Sequence, residues 1–492
     1  MSQTSRPVEK ASNSAVPETI IGYVSVKGRA SIFGGKSGKL PQSTTPFHAS
    51  ATKLHKAAKN LEKMGLSIIA ETPLGFAVAG PREAFEELTG AKVRTRERRL
   101  PRGRRRARYV THLDIRGRGQ PPELGIGRAR SPKLGIDGIV LDRPRRLQAV
   151  SDTPPNVSGF YLDLPDDIAA ALNADPAHQQ GFSGQGVRIA MPDSGMFPHP
   201  YYATQGCNVL PPACVIPGLN GDEDPSGHGT GECANIFAIA PDCEVQPIRC
   251  SNEGGALVAG LAGIAAAKST GARIISISFG GTLQFPSTAQ PPIESMALAL
   301  ELQDAVERGI VVVAAAGDGQ FAMEPQVPGV ISAGGVFVDQ RGRRHASDIA
   351  SAFSSPWFPQ VSVPLVCGLC GMFPDFYLML PVPPESEMDI SQAGFPGSPN
   401  DGTADNDGWA RFSGTSAAAP QIAGAAAILL SAKPSLTPAE VAETLSLSAR
   451  DVRRGRCSPI FDLPAGPGRD AATGCGLVNV AAALAFAQQN FP

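Results

Sequence analysis

From about residue 160 onward, short apolar runs alternate with longer segments of helical period. The runs at 187–191, 244–248, 274–278, 310–314 and 329–333 are rich in Val, Ile and Ala, the pattern of strands covered on both faces. Between and after them the spacing predicts helices at 228–237, 256–269 and 293–307, a long helix following Ser416, and another at 438–446. Alternation of this kind implies an α/β fold, a doubly wound and mostly parallel sheet with helices on both faces. A smaller α+β pattern precedes it over 18–99. There Leu54, Ala58, Leu61 and Met64 mark a helix over 52–64, strands follow at 66–70 and 75–79, then a short helix at 81–88 and a strand at 91–96. Residues 1–17 carry no periodicity and read as disordered. Residues 100–158 read as a Pro/Gly/Arg-rich linker, and 357–384 fits no element of the α/β pattern.

Composition narrows this picture. A chain of 492 residues exceeds one typical domain, which agrees with a small unit followed by a large one over 159–492. The net charge of −1 gives no global attraction to nucleic acid or to a membrane surface. The basic run from Arg94 to Arg108 has no aromatic residues interleaved for base stacking, so it reads as an exposed, protease-sensitive linker and not as a nucleic-acid strip. No run of about 18 apolar residues is present, so no membrane span is expected. The polar N-terminus lacks an apolar leader, so synthesis in the cytoplasm is expected, with leaderless secretion and storage in an inhibited form both open. The nine cysteines are an odd number, and Cys367 and Cys370 have CxxC spacing without a second pair or histidines, so reduced structural thiols are expected.

The candidate chemistry lies at the ends of the predicted elements. Asp193, in Asp193-Ser194-Gly195, follows the first strand of the α/β unit, at the carboxyl end where such sheets gather their chemistry. His228, in Gly227-His228-Gly229-Thr230, opens a helix. Ser416, in Gly414-Thr415-Ser416-Ala417-Ala418-Ala419-Pro420, opens the helix over 421–432, with Pro420 placed in its first turn. A serine there has free backbone N–H groups around it, available to an anion. Its hydroxyl is a weak nucleophile unless a base removes the proton and a third group orients the base. Asp193, His228 and Ser416 can fill those roles.

These three motifs, in this order, resemble those of the subtilisin-like serine peptidases. Phe197-Pro198-His199-Pro200, Ala240-Pro241 and Gly474-Cys475-Gly476-Leu477-Val478-Asn479 add to the likeness, which covers about 160–487. It implies a serine endopeptidase acting on proteins or peptides through an acyl-enzyme on Ser416, with His228 as base, Asp193 as its orienter and no organic cofactor. It also implies that Ser278, Phe279 and Gly280 pair with substrate backbone, and that Ala315, Ala316 and Gly317 wall the first specificity pocket. The unit over 18–99 resembles a propeptide of these enzymes in position and pattern, an intramolecular partner removed within 94–149.

One residue departs from the family pattern. Subtilisins have Asn after Ala-Ala-Ala-Gly, and this chain has Asp318, as the acid-active sedolisins do. An ionised carboxylate would repel the oxyanion, whereas a protonated one can donate to it. The expectation is therefore activity shifted toward acid, or slow at neutral pH. Two rivals stand beside it: an inactive or very slow binding or regulatory protein, and a transacylase that ligates or cyclises peptides. Asp222, Asp224, Asp401, Asp405 and Asp407 form oxygen-rich loops of the sort that hold a structural Ca²⁺, without a full ligand spacing.

Overall fold

The structure is a computed structural model that describes residues 9–11, 16–33, 43–99, 109–121, 125–142, 146–147, 161–283, 290–373, 377–393, 403 and 405–491. Its N-terminal unit comprises β1 (Thr19–Ser25), α1 (Ala51–Lys63), β2 (Ser67–Thr72), β3 (Gly75–Pro81), α2 (Arg82–Thr89), β4 (Lys92–Arg99), β5 (Tyr109–Arg116), β6 (Ile126–Arg128), β7 (Gly138–Leu141) and β8 (Arg146–Leu147). Five of these strands form an antiparallel sheet in the order β2-β3-β1-β7-β6. Side chains alternate between its faces, as period two requires. Val24, Phe76 and Val78 pack with Leu54 and Leu61 of α1 and Phe85 of α2, whereas Ile21, Tyr23 and Ala77 turn toward the larger body.

Two expectations are corrected here. The stretch from residue 100 is not a plain linker: β5 pairs with β4, and β6 and β7 complete the five-stranded sheet, whose last strand ends at Leu141 just before β8. Strands β6 and β7 are only three and four residues long, and β7 takes its partner from β1, far away in sequence, so a local window does not mark them. The N-terminal stretch expected to be disordered contains Glu9–Ala11, which pairs with β4. The basic residues Arg102 to Arg108 lie outside the described residues.

The large body is built from β9 (Arg188–Asp193), α3 (His228–Ile239), β10 (Glu244–Arg249), α4 (Gly260–Ala267), β11 (Ile274–Ile277), β12 (Phe279–Gly280), α5 (Ile293–Glu307), β13 (Val311–Ala315), β14 (Ile331–Val338), β15 (Val366–Leu369) and α6 (Thr415–Ala432). The strands β10-β9-β11-β13-β14 lie parallel, with β15 also parallel to β14 and Arg344–Ala346 antiparallel at that end. Helices α3 and α6 share one apolar core with one face of the sheet, and α4 and α5 share the other. This is the α/β architecture expected. The unmatched stretch 357–384 also finds a place, since it supplies β15 and a strand, Leu378–Pro381, paired with Trp409–Phe412 just ahead of α6.

Helix α6 is long and apolar enough to cross a membrane, but it is mostly buried inside the body. Its small residues let α3 approach closely. A Cβ on Gly424 would lie 2.8 Å from Ile239 Cβ and 2.9 Å from Ile236 O, both on or beside α3. Gly424→Val is therefore expected to destabilise the protein by about 1–3 kcal/mol through overpacking, measured by urea unfolding.

The N-terminal unit docks on α4 and α5 through apolar contacts and a buried polar cluster. Ile21 and Val140 pack in one core with Leu261, Ile264 and Leu298. Beside them Tyr23 donates to Glu301, and Thr72 Oγ1 donates to the same carboxylate at 3.0 Å. Lys268 pairs with Glu301 and, at 2.8 Å, with Asp304, while His48 Nε2 lies 3.2 Å from Asp304. Thr44 Oγ1 donates to Glu307 at 2.6 Å.

Candidate active site

Asp193 ends β9 and His228 begins α3, and the two elements meet because glycines line the crossing. A Cβ on Gly229 would fall 2.3 Å from Gly195 O, so only glycine admits this approach. Asp224 fixes the junction further. Its carboxylate accepts Ser194 Oγ at 2.7 Å, Gly227 N at 3.0 Å, and Thr230 N and Oγ1 at 2.8 and 2.7 Å. His228 Nδ1 and Asp193 Oδ1 then lie 2.7 Å apart, both side chains buried. That contact holds the imidazole with Nε2 free to take a proton. Burial alone would push the His228 pKa down, but the Asp193, Glu232 and Asp224 carboxylates outweigh it and raise it to about 9.

Ser416 is the second residue of α6 and fully buried. Helix α6 starts at Thr415, so Pro420 falls in the second turn and not in the first, as the sequence suggested. The shift has a use. Proline has no N–H to donate one turn back, which leaves the Ser416 carbonyl to accept the Ser278 hydroxyl at 2.9 Å. In return Ser416 Oγ donates to Ser278 O, also at 2.9 Å. The nucleophile candidate is thus tied to the strand segment expected to hold substrate.

Asp318 follows β13 and reaches the start of α6. Its Oδ1 accepts the Thr415 N–H at 2.8 Å and the Thr415 hydroxyl at 2.9 Å. The carboxyl therefore stands next to the serine, but one oxygen is committed to the helix start. Gly317 N donates to Thr415 Oγ1 at 3.1 Å and Ala316 N to Ala333 O of β14 at 2.9 Å, so the segment over 315–317 is held between the start of α6 and the neighbouring strand. Phe279 is fully buried in the core, so only the backbone of β12 is offered outward. That backbone is occupied: β8 pairs with it antiparallel, Leu147 opposite Phe279 and Arg146 opposite Gly280.

The metal candidates fare differently. Asp224 is fully engaged by the hydrogen bonds above and has no lone pair arrangement left for an ion. Asp222, Asp405 and Asp407 are exposed, and Asp401 lies outside the described residues. Among the described residues no three His, Cys, Asp or Glu side chains gather as a metal cluster. None of the nine cysteines is joined in a disulfide, and burial pushes Cys367 and Cys370 well above the ordinary thiol range. Sequence reasoning passed over Glu232, one turn after His228, although a carboxylate in so apolar a helix was a signal.

The profile of the subtilase family, Peptidase_S8, matches residues 184–474. The chain belongs to the subtilase family. This subtilase is 25% identical over 292 residues to an alkaline protease of Alkalihalobacillus alcalophilus, a match covering 56% of this chain and 63% of the relative. It is 28% identical over 298 residues to subtilisin E of Bacillus subtilis, covering 56% and 64%. The chain thus spans somewhat less than two thirds of these relatives' length. Its fold resembles that of fervidolysin from Fervidobacterium pennivorans, a keratinolytic enzyme related to subtilisin, with a TM-score of 0.55 at 18% identity, covering 95% of this chain and 61% of that one.

Proposed function

We propose that this subtilase is a serine endopeptidase made as a proenzyme. The observation that carries the reading is the buried Asp193–His228 contact at 2.7 Å, with the His228 ring packed edge-on against Phe412, three residues ahead of the helix bearing Ser416. In this scheme the Ser416 hydroxyl turns from Ser278 O to His228 Nε2, gives up its proton and attacks the substrate carbonyl carbon. His228 then hands the proton to the leaving amine, and water hydrolyses the acyl-enzyme by the same route. The oxyanion would lie against the Ser416 N–H at the start of α6 and the second oxygen of Asp318, which must carry a proton to donate. The backbone of Ser278, Phe279 and Gly280 would take the substrate as an added strand, with 315–317 forming a pocket wall. Pairing of β8 with β12 supports the proenzyme part, since the chain itself fills the place of a substrate.

A serine-reactive phosphonate probe tests the reading. The chain, freed of its N-terminal unit, is expected to be labelled at Ser416, and the labelling is expected to vanish in His228→Ala. Absence of labelling across the pH range would favour a binding or regulatory protein instead.

A further inference from the structure

Glu232 has no place in the three-residue scheme, yet it faces the atom on which that scheme depends. Its Oε1 lies 3.7 Å from His228 Nε2, one helical turn back on α3. The side chain is fully buried, and neither of those two atoms has a hydrogen-bond partner. The carboxyl is held in place from the other side. Glu232 Oε2 accepts Asn235 Nδ2 at 3.1 Å, Asn235 Oδ1 accepts Gln421 Nε2 at 3.0 Å, and Gln421 Oε1 accepts Leu369 N at 2.8 Å. Asn235 and Gln421 are also fully buried, so an amide chain inside the core runs from β15 through α6 to this one carboxyl. A packed apolar side chain would fill the space without needing such support.

We propose that Glu232 is a positioning residue for the base, a second carboxyl that holds the His228 ring from its Nε2 side and favours the imidazolium form at rest. The proposal rests on the peptidase reading for its consequence in catalysis, because His228 works as a base only after losing that proton. Groups from several elements face the pair. Asp193 of β9 and Asp224 of the preceding loop act on His228 together with Glu232, while Asp193 and Asp318 act on Glu232 together with His228. Burial raises the Glu232 pKa, Asp193 and Asp318 push the same way, and His228 opposes them. Raising the pH therefore removes protons from the pair, and removing the carboxyl should let His228 lose its proton earlier.

The test is a direct titration of His228 in the full Ser416→Ala chain, by NMR of ¹³C-labelled histidine. Only seven histidines are present, and His228→Ala assigns the signal. Glu232→Gln, which keeps shape and removes charge, is expected to lower the His228 midpoint by about one pH unit or more. Glu232→Asp keeps the charge at a longer reach and is expected to fall between the two. An unchanged midpoint in both variants, or in Glu232→Asp alone should the amide fail to fold, overturns the proposal. In the Ser416 chain carrying Asp318→Asn, where only the histidine limb remains, the kcat/KM–pH profile should move down by the same amount. A chain that hydrolyses nothing would sink the peptidase reading, and the titration would still decide the role of Glu232.

Discussion

With Ser416 replaced by alanine, the full chain is expected to persist as one uncut polypeptide, whereas the unmodified chain cuts itself shortly after Leu147. The register gives the position. Arg146 and Leu147 lie opposite Gly280 and Phe279, so the chain advances along β12 toward Ser278, whose carbonyl takes the Ser416 hydroxyl. Loss of the nucleophile in such a triad lowers the rate by about 10⁶, far below what overnight incubation would reveal. Intact-mass measurement of both proteins reads the result. An identical cut in the alanine variant would mean a contaminating protease, and a cut confined to the Arg102 to Arg108 region would mean that β8 does not present the scissile segment.

Asp318→Asn is expected to raise the rate at neutral pH by about 10²–10³, the worth of one oxyanion donor. Asparagine can keep the contact to Thr415 through its carbonyl oxygen while offering an N–H from the other side, with no proton needed. The sign with pH follows. In the unmodified chain Asp318 must be protonated while His228, raised to about 9, must be neutral, so each limb of the profile removes active molecules and the neutral rate is small. In the variant only the histidine limb remains, and the rate should climb steadily into the alkaline range. Hydrolysis of a peptide library across pH would show it, and an unchanged rate and optimum would end the oxyanion role of Asp318.

Much of this arrangement was legible in the sequence, for identifiable reasons. The parallel strands declare themselves because burial on both faces demands apolar residues at every position, as in Val311–Ala315. Asp193, His228 and Ser416 could be named because each sits beside glycines at an element boundary. Three things were hidden. Strands β6 and β7 are short and gain stability only from β1, a partner that no local window contains. The carbonyl freed by Pro420 matters only once Ser278 is known to face it. Glu232 could be seen as an oddity, but its approach to the imidazole nitrogen depends on the amide chain reaching it from α6 and β15.

The join between the N-terminal unit and the large body has a further consequence. Lys268, Glu301, Asp304, His48 and Tyr23 meet there, groups that water solvates well and that gain little from burial. Beside them Ile21, Ala77 and Val140 share an apolar core with Leu261, Ile264 and Leu298, so apolar burial supplies the adhesion and the polar cluster fixes the register. The two units thus share one interior on this side, and their covalent connection keeps each at a high local concentration near the other.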